Sequence, residues 1–324
     1  MDDPNTIKTA EWYQRFADIE TPGQSPLFEE WARGVAADAD ILGLLRELPM
    51  PKRQPNLLFA CARLLGAPLD GYPSFHDFVI ANWPALTREM LARATQTNEP
   101  RRCALLIPPL GMIDGPIALL EVGASAGLCL YPDRYSYSYD GRRLDPADGP
   151  SSVLLECATT GAPPIPARMP QIAWRAGLDL NPLDVTDADD VRWLETLVWP
   201  EQTERLERIR AAMRIARAYP PRIVRGDAVE ALPSLVAQVP SDLTLVIVDS
   251  ASIVYLMPEP RARFIEYVSS LPARWISNEG RGIVPSALAG LPETGAPDRS
   301  EFVLALDGES IAFTGAHGQR LDWL

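Results

Sequence analysis

The stretch Glu121-Val-Gly-Ala-Ser-Ala-Gly127 holds the residue types best suited to a ligand. A glycine turn between a strand and a helix brings the backbone close to a bound molecule, and the N–H groups at the helix start face it unpaired. Gly123 and Gly127 are so placed, with Ala124, Ser125 and Ala126 keeping the turn small. A dinucleotide fingerprint needs G-x-G-x-x-G. Counted from Gly123, the two later glycine positions hold Ser125 and Leu128, which disfavours a nicotinamide cofactor. Three aspartates follow in order. Asp179 ends Ala173-Trp-Arg-Ala-Gly-Leu-Asp179, Asp227 follows Ile223-Val-Arg-Gly226, and Asp249 ends Leu245-Val-Ile-Val-Asp249. Each stands at the carboxyl end of an expected strand, where open α/β sheets bind ligands. Singly, each also suits a turn or a helix cap.

The elements that must position these residues fall into two parts. The first third reads as helices: Ser25-Pro26 opens one over Leu27 to Leu48, Pro55 to Leu65 is a second, and Ser74 with Asp77 opens a third towards Ala94. Trp12, Phe16, Phe28, Trp31, Phe59, Phe75, Phe78 and Trp83 recur at helical spacing and predict a core. Thr95 to Arg102 is a polar connector, a solvated linker or a source of substrate contacts through Gln96, Asn98 and Arg102. From Ile117 strands and helices alternate: strands at Ile117–Val122, Ile172–Leu180, Arg222–Arg225, Leu243–Val248 and Ala273–Ser277, and helices at Asp187–Leu197, Glu201–Ala218, Val229–Gln238 and Arg261–Ser270. Asp307-Gly308 marks a closing hairpin between Phe302–Leu306 and Ile311–Phe313. The expected division is a helical domain over 1–112 and an α/β domain over 113–324, with an inserted hairpin near 135–170.

Composition narrows the partners. A net charge of −13 argues against a nucleic-acid binder. No apolar run reaches the ~18 residues of a membrane helix, and Met1-Asp2-Asp3-Pro4 lacks a signal pattern, so a cytoplasmic location is expected. Four dispersed cysteines and two histidines, His76 and His317, give no metal-ligand spacing. His317, in Gly315-Ala-His-Gly318, reads as a structural or exposed side chain.

The glycine turn and the ordered aspartates resemble E/D-x-G-x-G-x-G and the later acids of the class I S-adenosylmethionine-dependent methyltransferases, with Ser125 at the middle glycine. Together with Thr95-Gln-Thr-Asn-Glu99, Asp179-Leu-Asn-Pro-Leu-Asp184, Arg225-Gly-Asp-Ala228 and Ser277-Asn-Glu-Gly280, the chain is similar to a bacterial family of unknown function with that fold. The resemblance implies a Rossmann-like, seven-stranded, mostly parallel sheet with a C-terminal antiparallel hairpin, and S-adenosylmethionine as cofactor. It implies that Gly123 to Gly127 approach the methionine and ribose, with Glu121 near the amino-acid moiety. Asp179 would take the ribose hydroxyls, with Asp140 as the alternative, and Asp227 and the Ala228 N–H would take adenine. Asp249 and Ser250 would face the sulfonium. Asp249, Glu99 and Glu279 are the candidates for a proton-accepting base, and Asn278 joins the substrate contacts, though Asn278-Glu279-Gly280 also reads as a plain turn. The expected activity is methyl transfer to a small molecule with the N-terminal helices as a lid. A noncatalytic or regulatory cofactor-binding protein is the alternative.

Overall fold

The computed structural model describes residues 4–96, 98–289, 291 and 301–324. Met1 to Asp3 of the acidic N-terminus and Thr97 of the polar connector lie outside the described residues. The chain divides into two compact units, one formed by 1–97 and 186–207 and the other by 98–185 and 208–324.

The helical unit forms around aromatic side chains. Phe59 is fully buried, with the rings of Tyr13, Phe16, Phe28, Trp31 and Phe75 at centroid distances of 5.0–6.1 Å. Ser25 accepts from Phe28 N at 3.1 Å and Pro26 takes the first helical position, so a helix starts at Pro26. It does not run on to Leu48. Asp38 leaves helical geometry and accepts from Asp40 N and Ile41 N, which ends Pro26–Ala37 and starts Ala39–Leu45. The next long helix is Tyr72–Ala92, so Ser74 lies inside it and is not its cap. Gly71, at φ +122°, sets the start instead.

Among the described residues, the other unit is built on one sheet of eleven strands. They are β1 (Ile117–Val122), β2 (Ser136–Tyr139), β3 (Arg142–Leu144), β4 (Leu154–Thr160), β5 (Ile172–Asp179), β6 (Arg222–Arg225), β7 (Thr244–Ser250), β8 (Arg274–Gly280), β9 (Glu301–Leu306), β10 (Glu309–Gly315) and β11 (Arg320–Trp323). Their order is β3-β2-β4-β11-β10-β9-β8-β7-β1-β5-β6. The five strands β6-β5-β1-β7-β8 are mutually parallel. β1 is buried along its whole length, in keeping with a run that is apolar at every position but Glu121.

This architecture corrects the seven-stranded expectation. The α/β class holds, but the sheet is larger and mixed. The closing hairpin continues through Gly318 into a third strand, β11, and β9 pairs antiparallel with β8. Near 135–170, β2 and β3 form an antiparallel hairpin that joins the same sheet. β4 pairs parallel with β11, β2 pairs parallel with β4, and β3 extends that edge.

Strand alternation sorts the side chains at the ends of these strands. In register, Val122 pairs with Asp249 and Asp249 with Ser277, and all three share a face with Leu120, Ile247 and Trp275. That face packs on Phe264 and Val268 of the helix Pro258–Ser270. Glu121, Val248, Ser250 and Asn278 belong to the opposite face.

Candidate functional site

Strand order changes direction at β1: β5 and β6 follow on one side, β7 and β8 on the other. An open α/β sheet binds ligands outside the carboxyl ends of its strands at such a point. The turn from Gly123 to Gly127 leaves β1 there.

The turn is held from three sides. Gly123 N and Ala124 N donate to Leu178 O at 2.8 and 3.2 Å, at the end of β5. Ser125 N donates to Asp179 Oδ2 at 2.7 Å, while Asn181 N donates to Asp179 Oδ1 at 2.7 Å. Asn98 donates to Ala124 O and accepts from Leu128 N, both at 3.0 Å. Gly123, Ser125 and Gly127 have φ of +80°, +51° and +70°, so the serine adopts the left-handed conformation that glycine favours. Its Oγ is buried and makes no hydrogen bond among the described residues. Gly177 in β5 had a legible signal, because an interior strand glycine marks a close approach. A Cβ there would meet the Ala124 Cβ at 2.6 Å.

On the outward face, Arg102 is 7 % exposed, its Nε donating to Ala316 O at 2.9 Å and its Nη1 to Ser250 O at 3.0 Å. Asn278 donates to Ser250 Oγ at 3.1 Å and accepts from Thr314 Oγ1 at 2.7 Å. Glu121 is buried below the turn, and its Oε2 has no hydrogen-bond partner among the described residues. Burial holds its carboxyl well above the ordinary range, Cys129 adds to that, and the Arg102 charge works against it. The structure therefore brings Glu121, Ser250, Asn278 and Arg102 together, with Asn98 and Asp179 clasping the turn above.

The other candidates are placed elsewhere. Asp249 is fully buried on the inward face, accepting from Trp275 Nε1 at 2.6 Å and Ser277 Oγ at 2.8 Å. Burial raises it to about 6 against those two hydrogen bonds and a further one with Glu279. Glu279 shares that face; burial, then the neighbouring Asp249 charge, raise it to about 8. Asp249 and Ser250 are consecutive in β7 and project oppositely. Glu99 is fully buried and accepts from Arg208 Nε at 2.9 Å, from Arg208 Nη2 at 3.3 Å and from Arg101 N at 3.0 Å. Asp227 accepts from Val229 N and Glu230 N, a capping arrangement, with Ala228 packed at the rim of the inward core. Asp140 closes the β2–β3 turn and holds Thr159, with six strands between β2 and β1 in the sheet order. His317 lends its carbonyl oxygen to Arg101 Nε at 3.2 Å. Gln96 belongs to the helical unit.

Sequence reading missed Ser252. It follows β7, donates from Oγ to Val122 O at 2.9 Å, and fills the space beside Gly123, where an added Cβ would meet its Cβ at 2.3 Å. No pattern in the sequence marks that contact. Trp275, Ser277 and Arg208 were missed as well, because they serve buried acids whose orientation depends on register.

Fold and site define an α/β protein with a large mixed sheet and a glycine turn at the reversal of its parallel strands. The chain belongs to the family described as an uncharacterized protein conserved in bacteria (DUF2332), which it matches over residues 10–323. No curated protein matches it.

Proposed function

We propose that this unit binds an adenosine-type ligand, S-adenosylmethionine foremost, beside the Gly123–Gly127 turn, and that the protein is a methyltransferase for a small molecule. One observation carries the reading. The glycine turn stands at the reversal of the parallel strands, and Asp179, ending the adjacent strand, clasps it through Ser125 N at 2.7 Å. The residues fit such a ligand in type. Asp179 is only partly buried and stands at the carboxyl end of β5, where a ribose hydroxyl would meet a carboxylate acceptor. Glu121 offers an unsatisfied buried oxygen. The seat at Gly123 is covered by Ser252, so ligand entry requires that loop to shift.

When bound, S-adenosylmethionine supplies a methyl group for in-line displacement, which asks the protein mainly for alignment. Arg102 and Asn278 lie on the same face, already bonded to Ala316, Ser250 and Thr314, so they would orient an acceptor only by exchanging those bonds. The net charge of −13 favours a small-molecule acceptor over a nucleic acid. Among the described residues no helix is long and apolar enough to cross a membrane.

A second reading, a cofactor-binding protein without turnover, draws on the placement of the acids. Asp249 and Glu279, the carboxyls set near neutrality, face inward, and Glu99 is committed to Arg208. Calorimetric titration of folded, ligand-free protein separates these from a nicotinamide enzyme. S-adenosylhomocysteine is expected to bind one site per chain and NAD to give no heat. Binding of NAD alone would overturn both readings.

A further inference from the structure

In the helical unit, two contacts fix the start of the helix Tyr72–Ala92 against the bend at Asp38. A Cβ on Gly34 would meet the Tyr72 ring at 2.2 Å, so the phenol packs directly on the backbone of Pro26–Ala37. Tyr72 N donates to Glu30 Oε1 and Tyr72 Oη to Asp38 Oδ2, both at 2.8 Å. His76 stands one turn after Tyr72 and so shares its side of the helix. Its Nε2 lies 3.6 Å from Asp38 Oδ2. Asp40 completes the group: one ligand atom from each of Asp38, Asp40 and His76 lies within 4.8 Å of the other two. Among the described residues no other three such side chains converge this closely.

An imidazole facing two carboxylates, rather than acids alone, sets this corner apart. The far nitrogen, His76 Nδ1, is 3.0 Å from Asp77 Oδ1. A carboxylate there keeps the proton of a neutral imidazole on Nδ1 and leaves the Nε2 lone pair to a metal, the arrangement that metal-bound histidines use. Asp38 is oriented as well. Its Oδ1 accepts from Asp40 N and Ile41 N, and the Tyr72 hydroxyl directs its Oδ2. One imidazole nitrogen with two carboxylates is a donor set for zinc or a similar borderline cation, whereas calcium and magnesium take oxygen alone. Ligand atoms bound tetrahedrally to zinc stand roughly 3.4 Å apart. The His76–Asp38 pair is already at 3.6 Å, and Asp40 is exposed, so a side-chain rotation brings its carboxylate in.

We propose that Asp38, Asp40 and His76 form a site for a zinc-type divalent cation, with water at the fourth position, and that the ion clips the bend at 38–40 to the helix Tyr72–Ala92. The site lies within the helical unit and stands apart from the adenosyl-ligand reading.

The test is titration of zinc chloride alone into the full chain after treatment with a chelator, read by calorimetry and by the thermal unfolding midpoint. Few strong donors compete, since the other histidine is His317 and all four cysteines are buried. One site per chain is expected, with a midpoint that rises as zinc is added. His76→Ala should abolish both the saturable heat and the rise. Asp40→Asn, at an exposed position, should weaken binding by more than the about tenfold that loss of an outer-shell partner costs. His317→Ala should bind zinc as the wild type does. Absence of saturable binding in the wild type overturns the site and leaves His76 as an ion-pair partner of Asp38. Equal affinity in the wild type and in either His76→Ala or Asp40→Asn, or loss of binding in His317→Ala, places the zinc elsewhere and overturns it too.

Discussion

Ser125 is the residue at which local chemistry and conformation disagree. It has φ of +51°, is 4 % exposed, and buries an Oγ without a hydrogen bond among the described residues. Left-handed backbone costs a side-chain-bearing residue about 1–2 kcal/mol, and an unsatisfied buried hydroxyl costs about 1–3 kcal/mol. Glycine would remove both, less its own entropic cost of about 0.5–1 kcal/mol. Ser125→Gly is therefore expected to raise stability by about 1–4 kcal/mol, seen as a higher urea midpoint with unchanged slope. A loss of similar size would show that the hydroxyl has a stabilising role. The turn itself was legible in the sequence, since small residues between a buried strand and a polar stretch announce it. The facing of the acids was not. Asp249 and Ser250 are neighbours, and only the register of β7 against β1 and β8 tells which one points inward.

The glycine turn and the loop after β7 act as one element, because each fills the space the other leaves. Gly123→Ala would press a methyl on Ser252 and keep a φ of +80°. Overpacking and left-handed strain together predict a loss of about 2–4 kcal/mol. Adding Ser252→Gly should recover the packing part, roughly half, in a denaturant series. An identical loss with and without Ser252 would place the whole cost in the backbone. At this scale the parallel strands were readable because strands covered on both faces are apolar runs. β11 was not, since Arg320-Leu-Asp-Trp323 is short and half polar and gains its place only by pairing with β10 and β4. The helix at 229–238 was read too long. Its first residues form turns capped by Asp227, and the helix proper is Leu232–Val236.

For the molecule as a whole, three buried carboxyls set the response to pH. Glu121, Asp249 and Glu279 all have pKa values raised by burial. The folded state then binds protons more tightly than the unfolded chain. Their contribution is fully present below the ordinary carboxylate range and is lost as pH rises through about 6 for Asp249 and about 8 for Glu279. Unfolding free energy is expected to fall on the order of a few kcal/mol between about pH 5 and about pH 9, with Glu279→Gln flattening the upper part. A rise over that range would contradict the assignment. The same unit is argued to hold an adenosyl ligand at the strand reversal, and that claim has a direct measurement. S-adenosylhomocysteine is titrated calorimetrically into the folded wild-type protein and into Asp179→Asn, in one buffer. Saturation of one site in the wild type is predicted, weakened about 10- to 100-fold in the variant, the range expected for hydrogen bonds to a charged acceptor. No binding by the wild type, or equal affinity in the two proteins, would contradict it.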